Sequence, residues 1–215
     1  MQNRVYVLDT QKLRTDSELF AHWYNKMSEQ RRKKIDSFKH QKDKCLSLGA
    51  GIAAATAFGS ETEPQYIISE HGKPSVKGSK LFFNLSHSGD LAVCALSESS
   101  VGADVQIHKH FSSKLIERVF QQSEKEYILS AETIEEQDKR CTLLWTCKES
   151  VLKYLGTGIT LDLKKVLVDA ESKTAACEGL VSHRLHLTSF DLQGYELTVC
   201  SESERFAYKP DYITL

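Results

Sequence analysis

A chain of 215 residues with 40% hydrophobic content is long enough for one large domain or two small ones, and too apolar to stay disordered. A formal net charge of -1, from 28 Lys and Arg against 29 Asp and Glu, argues against a general nucleic-acid binder, so any anion site must be local. No apolar run approaches the roughly 18 to 20 residues of a membrane span, and residues 1–9 lack the apolar core of a signal peptide, which makes the cytoplasm the expected location.

Residues 5–8 read as a short strand. Thr15-Asp16-Ser17-Glu18 fits a capping box at the start of a helix running to about Met27, with Leu19, Phe20, Trp23, Tyr24 and Met27 recurring on one face. A basic helical stretch, Arg31-Arg32-Lys33-Lys34, ends near Phe38. Residues 43–58 then read as a small-residue helix packed closely on a sheet and closed by Gly59. Strand-like runs at 66–69, 82–85, 91–96 and 101–107 are separated by the turn signals His71-Gly72-Lys73-Pro74 and Ser88-Gly89-Asp90, the second of which suits a hairpin. The order then repeats, with helices near 114–119, 123–129 and 135–155 and strands near 166–168, 183–190 and 195–200. An α+β protein of two similar halves, divided near Gly102, is predicted from this element order, without a residue-level repeat to accompany it. Six scattered cysteines with no C-x-x-C pair read as reduced core thiols rather than zinc ligands. His183 and His186, three apart on a predicted strand, face opposite sides and make poor joint ligands.

Glu149 and Lys153 lie four residues apart on the 135–155 helix, so both project from one face. Alone, the pair also reads as an exposed helix-surface bridge. Asp104 sits in a mostly apolar strand, where a carboxylate is costly to bury without a cation. A strand Asp and a helix Glu could bind a hard divalent ion through oxygen while leaving positions for phosphate and water, as magnesium prefers. Asn84-Leu85-Ser86-His87-Ser88-Gly89 could offer hydroxyls, amides and an imidazole to an anion, or be no more than a hairpin turn. The cluster from Arg31 to Lys34 could supply a cation to a phosphate, or form a solvated helix face.

Gly102-Ala103-Asp104-Val105-Gln106, followed by Trp145-x-x-Lys148-Glu149-Ser150-x-x-Lys153-x-x-Gly156, resembles the signature of the 4′-phosphopantetheinyl transferases. Gly72-Lys73-Pro74 and Asn84-Leu85-Ser86-His87-Ser88 agree in order and spacing with the larger, pseudo-dimeric, surfactin-synthetase type, and motif matches run from Arg31 to Gly156. The fold this resemblance implies is two pseudo-symmetric α/β halves packed as a pseudo-dimer with the active site between them. Residues 1–102 would carry the coenzyme A-binding segments, and residues 103–215 the metal and catalytic residues.

The activity it implies is transfer of the 4′-phosphopantetheine of coenzyme A to a serine of an apo acyl or peptidyl carrier protein. The cofactor would be Mg2+, with Mn2+ as a substitute, and the enzyme a monomer without nucleic-acid or membrane partners. Asp104 and Glu149 would hold the metal at the coenzyme A pyrophosphate, Glu149 would also take the proton of the serine hydroxyl, and Lys153 would stabilise the departing phosphate oxygen. Lys73, Ser86 and His87 would meet the nucleotide phosphates, His87 the 3′-phosphate, with Arg31 and Lys34 as further cations. Gln106 stands where many relatives carry a third acid, so the metal shell would lose a charge while Gln106 still offers it a carbonyl oxygen or orients a bound water. Leu46 replaces an arginine common in relatives. Lys109, His110, Phe111, Lys114 and Arg118 form a basic, partly apolar patch suited to an acidic carrier helix. A non-catalytic coenzyme A-binding homologue and a metal-dependent phosphohydrolase are the alternatives.

Overall fold

A computed structural model of the chain describes residues 3–69, 72–157, 161–202 and 206–215. His71, read above as part of a turn, lies outside the described residues. The chain divides into two compact units, Met1–Glu98 with Arg205–Leu215, and Ser99–Glu204. No helix among the described residues is long and apolar enough to cross a membrane. All six cysteines are buried and free.

The first unit opens with β1 (Arg4–Asp9), α1 (Gln11–Thr15), α2 (Ser17–Asn25), α3 (Glu29–Ser37) and α4 (Gln41–Ala57). It continues through β2 (Tyr66–Ile68), β3 (Pro74–Val76), β4 (Phe82–Ser88) and β5 (Leu91–Ser97). The predicted capping box is displaced by one residue: Asp16, not Thr15, caps α2 by accepting from the Leu19 amide, while the Thr15 hydroxyl turns back to carbonyls of α1. Helix α4 is buried almost throughout, as its Ala- and Gly-rich sequence requires. One side meets the sheet through Ala53, Ala57, Phe83, Cys94 and Leu96. The other carries Cys45, Leu48 and Ile52 against Leu13, Met27 and Ile35, with Leu19, Phe20, Trp23 and Tyr24 of α2 packed around them.

In the second unit come β6 (Val101–Ile107), α5 (Ser113–Val119), α6 (Gln122–Leu129) and α7 (Ile134–Leu155). These are followed by β7 (Val166–Asp169), β8 (Thr174–Cys177), β9 (Leu185–Leu192) and β10 (Tyr195–Ser201). The sheet runs β6-β10-β9-β8-β7 with every pair antiparallel. Thr133 caps α7 by accepting from the Glu136 amide, and Gly156, in the left-handed conformation at φ 70, ends it. Val151, Leu152, Val166, Leu185 and Cys200 form the core between α7 and this sheet.

The chain closes with β11 (Asp211–Tyr212), which joins the first unit's sheet, of order β11-β1-β5-β4, by pairing parallel to β1. The division between units therefore falls before β6 rather than at Gly102. The whole of β6, from Val101 to Ile107, is laddered to β10, so the strand cannot be shared between units. The C-terminal residues return to the first unit for the same reason, since their hydrogen-bond partners are on β1. The expected α+β class stands, and each unit sets one long helix, α4 or α7, against a mainly antiparallel sheet.

Candidate active site

Alternation along β6 puts Gly102, Asp104 and Gln106 on one face of the strand. A Cβ at Gly102 would lie 2.0 Å from the Ser150 carbonyl oxygen and 2.2 Å from the Tyr154 amide nitrogen, so only glycine lets α7 rest directly on the strand backbone. That closeness sets Asp104, 6% exposed, against the last turns of α7. Lys153 Nζ donates to Asp104 Oδ1 at 2.6 Å. Burial pushes the Glu149 carboxyl above its ordinary range, the negative charge of Asp104 pushes it further, and Lys153 works against both. Two carboxylates and an ammonium thus converge from a strand and a helix. The seating of α7 is fixed farther along by the Thr146 hydroxyl, 2.9 Å from that of Thr198, which is in turn 3.0 Å from Ser189 Oγ.

Lys148 has the opposite fate from its neighbour. Its side chain is 0% exposed, pairs with Glu124 at 2.8 Å, and donates to the carbonyls of Leu163 at 3.1 Å and Val166 at 2.6 Å. Burial lowers its pKa, with Glu124 opposing. Lys148 is therefore a clamp from α7 to α6 and the start of β7. Two lysines five residues apart on a helix, Lys148 and Lys153, give no sign in the sequence of which one is buried.

Gln106 lies directly opposite Glu196 of β10, and Glu196 lies opposite Asp191 of β9, so the three share one face across three strands. Glu196 is 2% exposed, its carboxyl raised by burial, with His108 Nε2 at 3.2 Å opposing that rise. Ligand atoms of His108, Asp191 and Glu196 lie within 4.8 Å of one another, but Lys139 Nζ already sits 2.6 Å from Asp191 Oδ2 and supplies a positive charge. Sequence spacing cannot reveal this group, whose members come from β9, β10 and the residue just past the end of β6.

The other expected residues belong to the first unit. Residues 82–88 are strand throughout and the turn is confined to Gly89 and Asp90, with Gly89 at φ 61, so the polar cluster is not itself the hairpin turn. Ser86 and His87, as strand neighbours, face opposite sides: Ser86 is buried with Asn84, whereas His87 is exposed on the side of Phe83 and Leu85. Lys73 is held just before β3 by backbone hydrogen bonds with Ser69. Arg31 and Lys34, three apart, share a face of α3, and Arg31 Nε donates to Glu63 Oε1 at 2.7 Å. Lys33 turns outward to Glu29. Leu46 is a core residue of α4.

The docking patch expected after β6 loses its aromatic member. Phe111 is 2% exposed, packed on Phe120 and Trp145, with Lys109 Nζ 5.4 Å from each of the Phe111 and Trp145 ring centres. Its side chain is claimed by the core because α7 presents Trp145 and Leu144 beside it. Lys109, His110, Lys114 and Arg118 remain at the surface or part-exposed.

A family profile described as the 4′-phosphopantetheinyl transferase superfamily matches residues 100–200, the stretch that holds β6 and α7. The 4′-phosphopantetheinyl transferase Sfp of Bacillus subtilis (strain 168) is 26% identical over 203 residues, covering 88% of this chain and 87% of the relative. A second 4′-phosphopantetheinyl transferase of Bacillus subtilis is 30% identical over 195 residues, 84% of each chain. The 4′-phosphopantetheinyl transferase AcpT of Salmonella typhimurium is 36% identical over 155 residues, 70% of this chain and 73% of the relative. Identity at this level across most of both chains, with Asp104, Glu149 and Lys153 gathered at one helix–strand contact, means that the chain belongs to the 4′-phosphopantetheinyl transferase superfamily, as an Sfp-like member and an enzyme of that class.

Proposed function

We propose that the chain transfers the 4′-phosphopantetheine moiety of coenzyme A to a serine hydroxyl of an apo acyl or peptidyl carrier protein, releasing 3′,5′-ADP, with Mg2+ as cofactor and Mn2+ as a substitute. The observation that carries this reading is the convergence of Asp104, Glu149 and Lys153 where α7 crosses the bare backbone of Gly102. Two carboxylates held so close that one raises the pKa of the other offer hard oxygen donors that fit a small dication. Asp104 and Glu149 would hold it, with the Gln106 carbonyl oxygen as a further donor. When bound, magnesium supplies positive charge against the diphosphate of the substrate.

The chain's own residues do the rest. Glu149, whose burial makes it a stronger base than a solvated carboxylate, accepts the proton of the carrier serine hydroxyl, so that its oxygen attacks the β-phosphate of coenzyme A. Lys153, anchored on Asp104, faces the negative charge that gathers on the departing phosphate oxygen. Arg31, Lys34, Lys73, Ser86 and His87 are assigned to the nucleotide phosphates. Lys109, His110, Lys114 and Arg118 are assigned to an acidic carrier, and the enzyme is assigned to the cytoplasm as a monomer.

The test is to incubate the purified chain with coenzyme A, Mg2+ and a panel of apo carrier proteins. A carrier serine should gain about 340 Da, the mass of the phosphopantetheine group, and the Glu149→Gln variant should slow the gain by about 100-fold or more. Free phosphate without protein modification would instead indicate a hydrolase. Bound coenzyme A with neither product would indicate a non-catalytic homologue.

A further inference from the structure

Glu63 belongs to no motif, yet its side chain is 0% exposed and among the most heavily bonded carboxylates of the first unit. Its Oε1 accepts from Arg31 Nε at 2.7 Å, and its Oε2 accepts from Ser28 Oγ at 2.7 Å and the Ser28 amide at 3.3 Å. Ser28 is also the N-cap of α3, so Glu63 ties the start of that helix to a residue one turn into it. Helix α4 is shaped around the pair. A Cβ at Gly51 would fall 2.4 Å from Met27 Sδ, 3.3 Å from Glu63 Oε1 and 3.5 Å from Arg31 Nε, so the bare backbone there makes room chiefly for Met27 and lies directly against the ion pair. The Arg31 guanidinium lies 5.9 Å from the Tyr66 ring centre, a flat wall on its other side.

This geometry engages Arg31 through Nε alone, and leaves its two terminal nitrogens without a hydrogen bond among the described residues. Lys34 joins it. Burial lowers the Lys34 pKa, repulsion from Arg31 lowers it further, and attraction to Glu63 opposes both, so the three charges share one neighbourhood. Lys34 has no ion pair among the described residues, whereas Lys33 on the outer face has Glu29. Two cations, crowded and partly dehydrated around a single carboxylate, are underneutralised by one charge, and an anion with two charges and several acceptor oxygens would relieve both.

We infer that Glu63 is a positioning residue that fixes the Arg31 guanidinium edge-on and, with Lys34, makes a pincer for a phosphate monoester dianion. Glu63 would thereby set how strongly the protein prefers a nucleotide that carries such a phosphate. This rests on the reading that the substrate is coenzyme A, whose 3′-phosphate is a monoester of that kind. Charge alone would predict that removing Glu63 tightens anion binding, because the surroundings become more positive. Orientation predicts the reverse, since a guanidinium with nothing on Nε must be ordered when the anion arrives, and its fork no longer meets the phosphate oxygens in advance.

Calorimetric titration of the full chain with 3′,5′-ADP and with AMP, which lacks the 3′-phosphate, separates the two. Glu63→Ala is expected to weaken 3′,5′-ADP binding by about tenfold and to leave AMP within about twofold of the unsubstituted protein. Glu63→Gln, which keeps an oxygen for Arg31 Nε, is expected to retain most of the 3′,5′-ADP affinity. Equal loss of both nucleotides by Glu63→Ala would show a merely structural role, and unchanged or tighter 3′,5′-ADP binding would show that only charge matters; either overturns the inference. If thermal unfolding shows Glu63→Ala to be unfolded at the assay temperature, Ser28→Ala, which removes the hydroxyl from Glu63 Oε2 and leaves it the backbone amide, takes its place with the same direction expected. Failure to modify any carrier would sink the transferase reading by itself, because the nucleotide titration needs no turnover.

Discussion

Lys148 and Glu149 are adjacent in sequence and about 100° apart around α7, which sends one into the core and the other toward β6. Both are ionisable, and the environment gives them opposite tasks. Breaking the buried pair by Lys148→Met leaves Glu124 without a cation, and is expected to cost about 3–5 kcal/mol in chemical denaturation. The double variant Lys148→Met with Glu124→Leu should recover a large part of that loss, since no charge is then left unpaired. At Gln106 the expectation concerns the metal. If Gln106 belongs to the proposed Mg2+ site, Gln106→Glu, which puts an acid on the face shared with Asp104, should lower the Mg2+ concentration needed for half-maximal rate severalfold, and an unchanged Mg2+ dependence would count against that role. Asp104 stood out because a buried strand acid needs a cation, and Glu149 because it shares a helix face with Lys153. Lys148 did not, because its burial depends on Glu124, which arrives from α6.

At the scale of elements, the decisive contact is one backbone against another. Gly102→Ala would drive a methyl into the Ser150 carbonyl and the Tyr154 amide, so β6 and α7 must separate. The expected result is a loss of at least about 2 kcal/mol in stability, with transfer activity falling further than stability accounts for because Asp104 moves away from Lys153 and Glu149. Thermal unfolding and steady-state rates measured on the same preparation check both parts. The strongly patterned elements, α4, α7, β4, β5, β6 and β10, were readable from periodicity, with ends shifted by a few residues. Others were not. β8 consists of Thr174, Ala175, Ala176 and Cys177, with little strand propensity of its own, and is extended because β7 and β9 flank it.

For the molecule as a whole, the return of the C-terminal residues to the first sheet makes the first unit discontinuous in sequence. Deleting residues 206–215 removes β11 from the edge of β1 and the hydrogen bond from the Ile213 amide to the Val7 carbonyl. The deletion should lower the melting temperature and speed amide exchange along β1, and unaltered exchange there would show that β1 does not depend on its outer neighbour. Partner choice is also a property of the whole surface. If Lys109, His110, Lys114 and Arg118 steer an acidic carrier, raising ionic strength should raise the carrier KM while leaving the coenzyme A KM much less affected. A carrier KM indifferent to salt would argue for an apolar dock.

The one-dimensional pattern was enough for the α+β class, the faces of the long helices, the buried cysteines and the pairing of a strand acid with a helix acid at the proposed site, because helix and strand periods are local and a motif carries its own spacing. It could not say which charges meet. Glu63 and Arg31 are 32 positions apart, and His108 and Glu196 are 88 apart. Nor could it say that Phe111 is core, or that the last strand closes the first sheet. Those outcomes were left to packing: a side chain's partner is fixed by which elements come within a few ångströms, and that distance depends on bare backbone at positions such as Gly102 and Gly51.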